Sequence, residues 1–216
     1  MVTDFRKCFF IKSHGRAECA GKFSAVNIEE NGRRSPVPYV IPPGIKQEQM
    51  VGTTAVTKLN EQSLQIKVQD LIDGDGRAIY KTTKFDLRQY KYLKMFVHAE
   101  KANEDDRLED QDLTLFMRLG TDFTENYYEY EIPLKMTPWF TSYTNKDAIW
   151  PEINNIEIKL EDLVTVKSNR NAAMNRPGSN VKLNFLYSER FRKGNDGNKD
   201  YFHTIKVIGN PSISDV

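Results

Sequence analysis

The sequence predicts a mainly β protein, an antiparallel β-sandwich with one short helix. Apolar and polar residues alternate with period two in several segments of strand length, and turn-forming residues separate those segments. Only one segment has the composition of a helix. Aromatic residues make up 11% of the chain, which favours a β-rich globular domain over a disordered chain.

Seven segments show the alternation of half-buried strands. In the clearest two, Leu115, Met117 and Leu119 share one face, and Tyr128 and Tyr130 share the face of the following strand that carries its aliphatic residues. We expect these side chains in the core. The predicted strands lie within residues 64–71, 90–100, 113–120, 127–134, 153–160, 181–187 and 201–209.

One helix is predicted over residues 160–175. Glu161 and Asp162 stand near its start, where negative charge interacts favourably with the helix dipole. The segment RPGSN follows, and its proline and glycine end the helix. This helix is therefore expected to interrupt a series of strands.

Prolines divide the first part of the chain from the rest. Pro36, Pro38, Pro42 and Pro43 exclude a helix or a central strand there, so this part is either a plain linker or an ordered surface strap. Residues 1–25 have no clear period. The predicted organisation is an atypical N-terminal segment (1–25), a Pro-rich extended strap (26–60) and a β-sandwich domain (61–216).

Charge and hydropathy exclude several function classes. The 31 Lys and Arg residues nearly balance the 30 Asp and Glu residues, so we predict no nucleic-acid partner. No window of about 18 apolar residues occurs, so no transmembrane helix is predicted.

Cys8 and Cys19 lack the spacing of zinc ligands. They are interpreted as free thiols, with a disulfide as the alternative.

The sequence predicts no enzyme, no cofactor and no metal site. His14, His98 and His203 form no pair with metal-ligand spacing, and we interpret them as structural. No nucleophile elbow or phosphate-binding loop occurs. The acidic loops at residues 73–84 and 196–200 lack the final glutamate of an EF-hand. They are interpreted as surface loops, and a loop-held calcium ion is the alternative.

Aromatic residues are concentrated between residues 127 and 150. Tyr128 and Tyr130 are expected in the core, whereas Tyr127 and the loop aromatics are free to be exposed. Three roles are open: core packing, contact with a protein, and stacking against sugars. Transmembrane β-strands are disfavoured, because the polar faces carry Lys, Glu and Arg. The candidate partner-contact residues are Trp139, Phe140, Tyr143 and Trp150.

Several long motifs occur in an order that resembles one known family. They are RSPVPYVIPPGI, LNEQSL, DGDGRAIYKTTKFDLRQYKYLKMFVHAE, LTLFMRLGTDFTENYYEYEIPL, IWPEINNIEIKLEDLVTVKSNRN and GNPSISDV. From residue 26 to 216 the chain resembles the SprA (Sov) family, the giant outer-membrane translocons of type IX secretion and gliding motility in the Bacteroidetes. Residues 1–25 do not resemble this family and are interpreted as not native to it.

The resemblance implies a parent β-barrel of about 36 strands, through which cargo with a C-terminal sorting domain passes. It implies that this chain is a non-catalytic, jelly-roll-like sandwich outside the barrel wall. The implied location is the outer membrane or cell surface, facing the periplasm or the exterior. The implied partners are the rest of the barrel, a PorV-type shuttle, a plug and secreted cargo. The sandwich is expected to be truncated at its C-terminus. A carbohydrate-binding β-sandwich module is the alternative function.

Overall fold

The computed structural model describes residues 10–13, 20–47, 59–69, 71, 74–82 and 86–213. Within these ranges the chain forms ten strands: β1 Phe10–Ser13, β2 Ala20–Asn27, β3 Gln62–Gln69, β4 Asp75–Ala78, β5 Tyr92–Met95, β6 Thr114–Gly120, β7 Tyr127–Pro133, β8 Ile156–Lys159, β9 Tyr187–Asn195 and β10 Asp200–Ile208. The α-helices are α1 Ile28–Asn31, α2 Lys146–Ile149 and α3 Leu160–Met174, and 3₁₀ helices span Leu87–Gln89 and Glu152–Asn154.

The strands form one large sheet and two ribbons. Six of them pair in the order β4-β1-β6-β7-β10-β9, while β2 pairs with β3 and β5 pairs with β8. All these pairs are antiparallel. The mainly β, antiparallel prediction is therefore confirmed. The described strands do not form the two four-stranded sheets of a jelly roll, so that finer part of the prediction is not confirmed.

The core lies between one face of the large sheet and a second layer made of the β5–β8 ribbon and α3. Tyr130 and Ile132 from β7 are buried in the same cluster as Leu93 from β5, Ile158 from β8 and Leu163 from α3, each at 2% exposure or less. Alternation along β6, β7 and β10 directs every second side chain into this cluster. The arrangement is sandwich-like, with a helix completing the second layer.

Helix α3 contributes to the core through a single face. Its buried residues are Leu160, Leu163, Val166 and Arg170, spaced three or four residues apart, as one helix face requires. The structure confirms the predicted helix to within one residue of its end. Four-residue helices α1 and α2 occur in addition.

Six of the seven predicted strands are confirmed, and the one at residues 181–187 is wrong. Residues 181–186 form a turn, in which the Gly209 amide donates to the Leu183 carbonyl at 2.9 Å and the Phe185 amide donates to the Lys182 carbonyl at 3.1 Å. The strand in this region is β9, which begins at Tyr187. Glu189 and Lys193 occupy half-buried positions on the same side as Tyr187 and Phe191, and these charged residues break the apolar alternation on which the prediction depended.

The Pro-rich segment is an ordered strap in its described part. Val37, Tyr39 and Val40 are buried and form a second cluster with Ile149 and Trp150. Strand β2 crosses the boundary placed between residues 25 and 26, and the domain division itself stays a prediction. Cys8, Cys19 and His14 lie outside the described residues.

Candidate partner-contact surface

The loop between β7 and α2 carries most of the candidate contact residues. We call residues 138–145 the aromatic loop. The amide and hydroxyl of Thr141 both donate to the carbonyl of Pro138, at 3.3 and 2.7 Å, and the Asn145 amide donates to the Ser142 carbonyl at 2.9 Å. The Asn145 side chain accepts from the Ala148 amide at 3.2 Å and caps α2. The loop is therefore a series of hydrogen-bonded turns.

Phe140 adopts an unusual backbone conformation within this loop. Its φ angle is +60°, in the left-handed region that side chains other than glycine rarely occupy. Its ring is 67% exposed, and Tyr143 is 65% exposed. The Trp139 ring lies beside Phe140, with centroids 6.1 Å apart and planes at 71°. The structure thus presents Phe140 and Tyr143 to solvent, with Trp139 in contact with Phe140.

Trp150 is buried, so its side chain does not belong to the exposed group with which the sequence analysis placed it. It is 7% exposed, and its indole Nε1 donates to the carbonyl of Val40 at 2.8 Å. Its ring meets Tyr39 edge to face at 6.2 Å and Phe96 at 6.4 Å. Trp150 therefore fixes the strap to the end of α2, and through α2 it supports the aromatic loop.

A polar network lies next to Trp150. The His98 Nδ1 atom is 2.7 Å from the Ile149 carbonyl oxygen, and its Nε2 atom is 3.1 Å from the Glu100 carboxylate. Arg34, from the strap, approaches Glu100 at 2.6 Å. Burial alone would raise the pKa of Glu100, but the His98 hydrogen bond and the Arg34 charge hold the pKa below its ordinary value. His98 is thus a half-buried link between the strap and the core.

Tyr127 was expected to be free for exposure, and the structure corrects this expectation. It is 6% exposed, because the Arg118 guanidinium lies 4.2 Å from its ring centroid. Arg118 Nε also donates to the buried Glu129 carboxylate at 2.6 Å, and Lys206 Nζ donates to the same carboxylate at 2.9 Å. The outer face of the sheet around β7 therefore has its charges paired.

The acidic loop at residues 196–200 is closed by its own groups. The Asp196 carboxylate accepts from the amides of Asn198 and Lys199, at 3.0 and 2.8 Å, and from Lys135 Nζ at 2.7 Å. The Lys135 hydrogen bond is the main cause of a lowered pKa for Asp196. Across the described residues, no group of three or more His, Cys, Asp or Glu residues is arranged to hold a metal ion. The loop at 73–84 lies partly outside those residues.

Two features of this surface are not visible in the sequence pattern. The left-handed backbone of Phe140 is not visible in an aromatic pattern, although the Ser, Thr and Asn residues around it are a turn signal. The burial of Trp150 depends on contact with the distant strap.

No helix in the part of the chain that the structure describes is long and apolar enough to cross a membrane.

Comparison with known proteins identifies the family. No curated protein matches the chain. A family model, SprA_N, described as motility related/secretion protein, matches residues 17–216. The match thus begins nine residues before the resemblance noted in the motifs, and it includes nearly all of the chain. The chain belongs to the SprA_N family of motility-related and secretion proteins.

Proposed function

We propose that this chain is a non-catalytic domain of a SprA-like type IX secretion translocon, located at the outer membrane or cell surface and needed for protein export and gliding motility. Membership of a motility- and secretion-related family supports this proposal. In this role the aromatic loop contacts another protein of the secretion machinery. The partners we propose are the rest of the translocon barrel, a PorV-type shuttle, a plug and secreted cargo.

The observation that carries the contact role is the outward-facing ring of Phe140. A left-handed conformation costs a side chain other than glycine about 1–2 kcal/mol. Here the conformation leaves Phe140 67% exposed, so the free protein gains little hydrophobic stabilisation from this side chain. Burial of this ring in a partner would stabilise the complex, because it removes apolar surface from water. The hydrogen-bonded turns on either side also reduce the conformational entropy lost on binding.

Ring geometry favours a protein partner over a sugar. A sugar stacks on a flat aromatic face, and two rings extend that face only when they are nearly coplanar. The planes of Trp139 and Phe140 meet at 71°, so the pair does not form one flat platform. Protein interfaces, in contrast, use single aromatic anchors that enter pockets on the partner.

The experiment is co-purification of the PorV-type shuttle with the protein as it occurs in the cell. Phe140→Ser and Tyr143→Ser are compared with Tyr80→Ser, because Tyr80 is 64% exposed in a different part of the structure. We expect recovery of the shuttle to fall about tenfold for the two loop variants and to stay unchanged for the control. Equal recovery from all variants would reject the shuttle contact.

The same variants test the carbohydrate alternative. A glycan array probed with the purified chain is expected to show no binding that depends on Phe140. Binding to a glycan that is lost in Phe140→Ser but kept in Tyr80→Ser would instead identify the domain as a carbohydrate-binding module.

A further inference from the structure

Strand β9 forms one edge of the six-stranded sheet. Eight of its nine residues pair with β10, on one side only, and Lys193 lies at a bulge in the register. In an antiparallel pair, about half of a strand's backbone N–H and C=O groups point away from its neighbour. Between described residues, no backbone hydrogen bond joins this outer side of β9 to another element. An edge of this kind can template an added strand.

The side chains of β9 give this edge a basic surface. Ser188, Arg190 and Arg192 are exposed and alternate along one face, while Phe191 points to the other face and packs against the core. Arg190 lies over the ring of Phe202 at 4.0 Å and has no carboxylate partner among the described residues. Arg192 contacts Asp200 at 3.0 Å, and both side chains are at least half exposed. Glu189 lies on the other face, where Asn169 and Tyr187 donate to its carboxylate. The uncompensated charge on the exposed face of this edge is therefore positive.

An exposed apolar turn lies directly before β9. Leu183, Phe185 and Leu186 are 45%, 51% and 50% exposed. The turn is fixed rather than loose, because the Gly209 amide donates to the Leu183 carbonyl at 2.9 Å. The open strand edge and this apolar turn adjoin each other along the chain. Together they form a continuous surface with polar backbone groups, positive charges and an apolar end.

We propose that β9 binds an acidic, extended segment of a partner protein, which adds to the sheet as a seventh strand. Acidic residues at alternate positions of that segment would lie opposite Arg190 and Arg192. An apolar residue at one end would cover Leu183, Phe185 and Leu186. Backbone hydrogen bonds would supply affinity, and the alternating side chains would supply specificity. This site is separate from the aromatic loop, so the proposal does not depend on the loop's role.

A second copy of this chain fits the same edge poorly in the register that pairs the two strands over their full length. Two β9 strands paired antiparallel about Phe191 would place Arg190 of one copy opposite Arg192 of the other. Like charges directly opposite each other destabilise a strand pair. The two arginines therefore disfavour self-association and favour an acidic strand.

The test uses fluorescence anisotropy with a labelled peptide of about ten residues in which glutamate and valine alternate. A second peptide carries proline at two central valine positions, and a third carries lysine in place of glutamate. We expect the first peptide to bind at least about tenfold more tightly than either of the others, because proline removes ladder donors and lysine reverses the charge. We also expect its affinity to fall as the salt concentration rises.

Protein variants locate the site. Arg190→Glu is expected to weaken binding of the glutamate–valine peptide about tenfold, and Arg190→Gln is expected to weaken it less. Arg107→Glu is the control, because Arg107 is exposed in a different loop. Circular dichroism confirms that each variant is folded. The proposal is overturned if the first peptide does not bind, if the proline peptide binds equally well, or if Arg107→Glu has the same effect as Arg190→Glu.

Discussion

The indole N–H of Trp150 donates to the carbonyl of Val40 at 2.8 Å, across 110 residues of sequence. This bond connects the Pro-rich strap to the residue that follows α2. Helix α2 follows the aromatic loop directly, and Trp150 follows α2. Trp150 is therefore a buried anchor for both the strap and the loop. The strap is therefore part of the structure that holds the proposed contact residues.

Replacement of Trp150 is expected to weaken this anchor. Trp150→Phe leaves the buried carbonyl of Val40 without its donor, and we expect the free energy of unfolding to fall by about 2 kcal/mol. Trp139→Phe is the matched control, because Trp139 is only partly buried, and a change below about 0.5 kcal/mol is expected. Urea denaturation of both variants measures the difference. Similar losses in the two variants would contradict the anchoring role.

The charge of Glu129 is expected to stabilise the outer face of the sheet. Glu129→Gln keeps the side chain's shape but removes the negative charge that Arg118 and Lys206 both contact. We therefore expect the free energy of unfolding to fall by about 2 kcal/mol. Glu161→Gln removes an exposed ion pair with Lys159 and should change stability little. Equal effects of the two substitutions in chemical denaturation would show that burial of Glu129 does not strengthen its pairing.

Gly209 combines a backbone requirement with a close contact. Its φ is +64°, and an added Cβ would lie 1.9 Å from the carbonyl oxygen of Glu125 in the β6–β7 turn. Gly178 has a similar φ of +78°, but an added Cβ would meet nothing within 4 Å. Gly178→Ala should therefore destabilise the protein by about 1 kcal/mol and Gly209→Ala by at least about 2 kcal/mol. Thermal denaturation that ranks them equally would refute the steric part of this account.

Glu100 is expected to make stability depend on acid pH. Its pKa in the folded protein is lowered, so the unfolded chain binds a proton at higher pH than the folded chain does. The stability that it contributes is present above its ordinary pKa of 4.5 and is lost as the pH falls below that value. Glu100→Gln should therefore flatten the decrease in unfolding free energy between neutral pH and about pH 3. An unchanged pH profile in this variant would contradict the prediction.

Local periodicity predicted the elements that bury one full face. Leu115 and Met117 on β6 and Tyr130 on β7 lie in the core as the pattern indicated. The pattern failed where tertiary contacts decide exposure. Tyr127 is covered by Arg118, which lies opposite Glu129 on the neighbouring strand, and only the strand register brings these residues together.

The apolar turn and β9 show that periodicity can also misplace a strand. Leu183 and Phe185 alternate like strand residues, yet they lie in an exposed turn. The true edge strand packs only Tyr187 and Phe191 against the core and carries charged residues at most of its other positions, so its sequence lacks the alternation of apolar residues. The left-handed conformation of Phe140 depends on the turns around it, so it could not be predicted from amino-acid composition.

The most direct test of the proposed contact role is site-specific photo-crosslinking in cells. A photoreactive phenylalanine analogue replaces Phe140, and in a control strain it replaces Tyr80, which has similar exposure. The account predicts that position 140 crosslinks to a protein of the type IX secretion machinery and that position 80 does not. Absence of a crosslink at position 140, with the protein present at normal abundance and the strain still secreting cargo, would contradict the account.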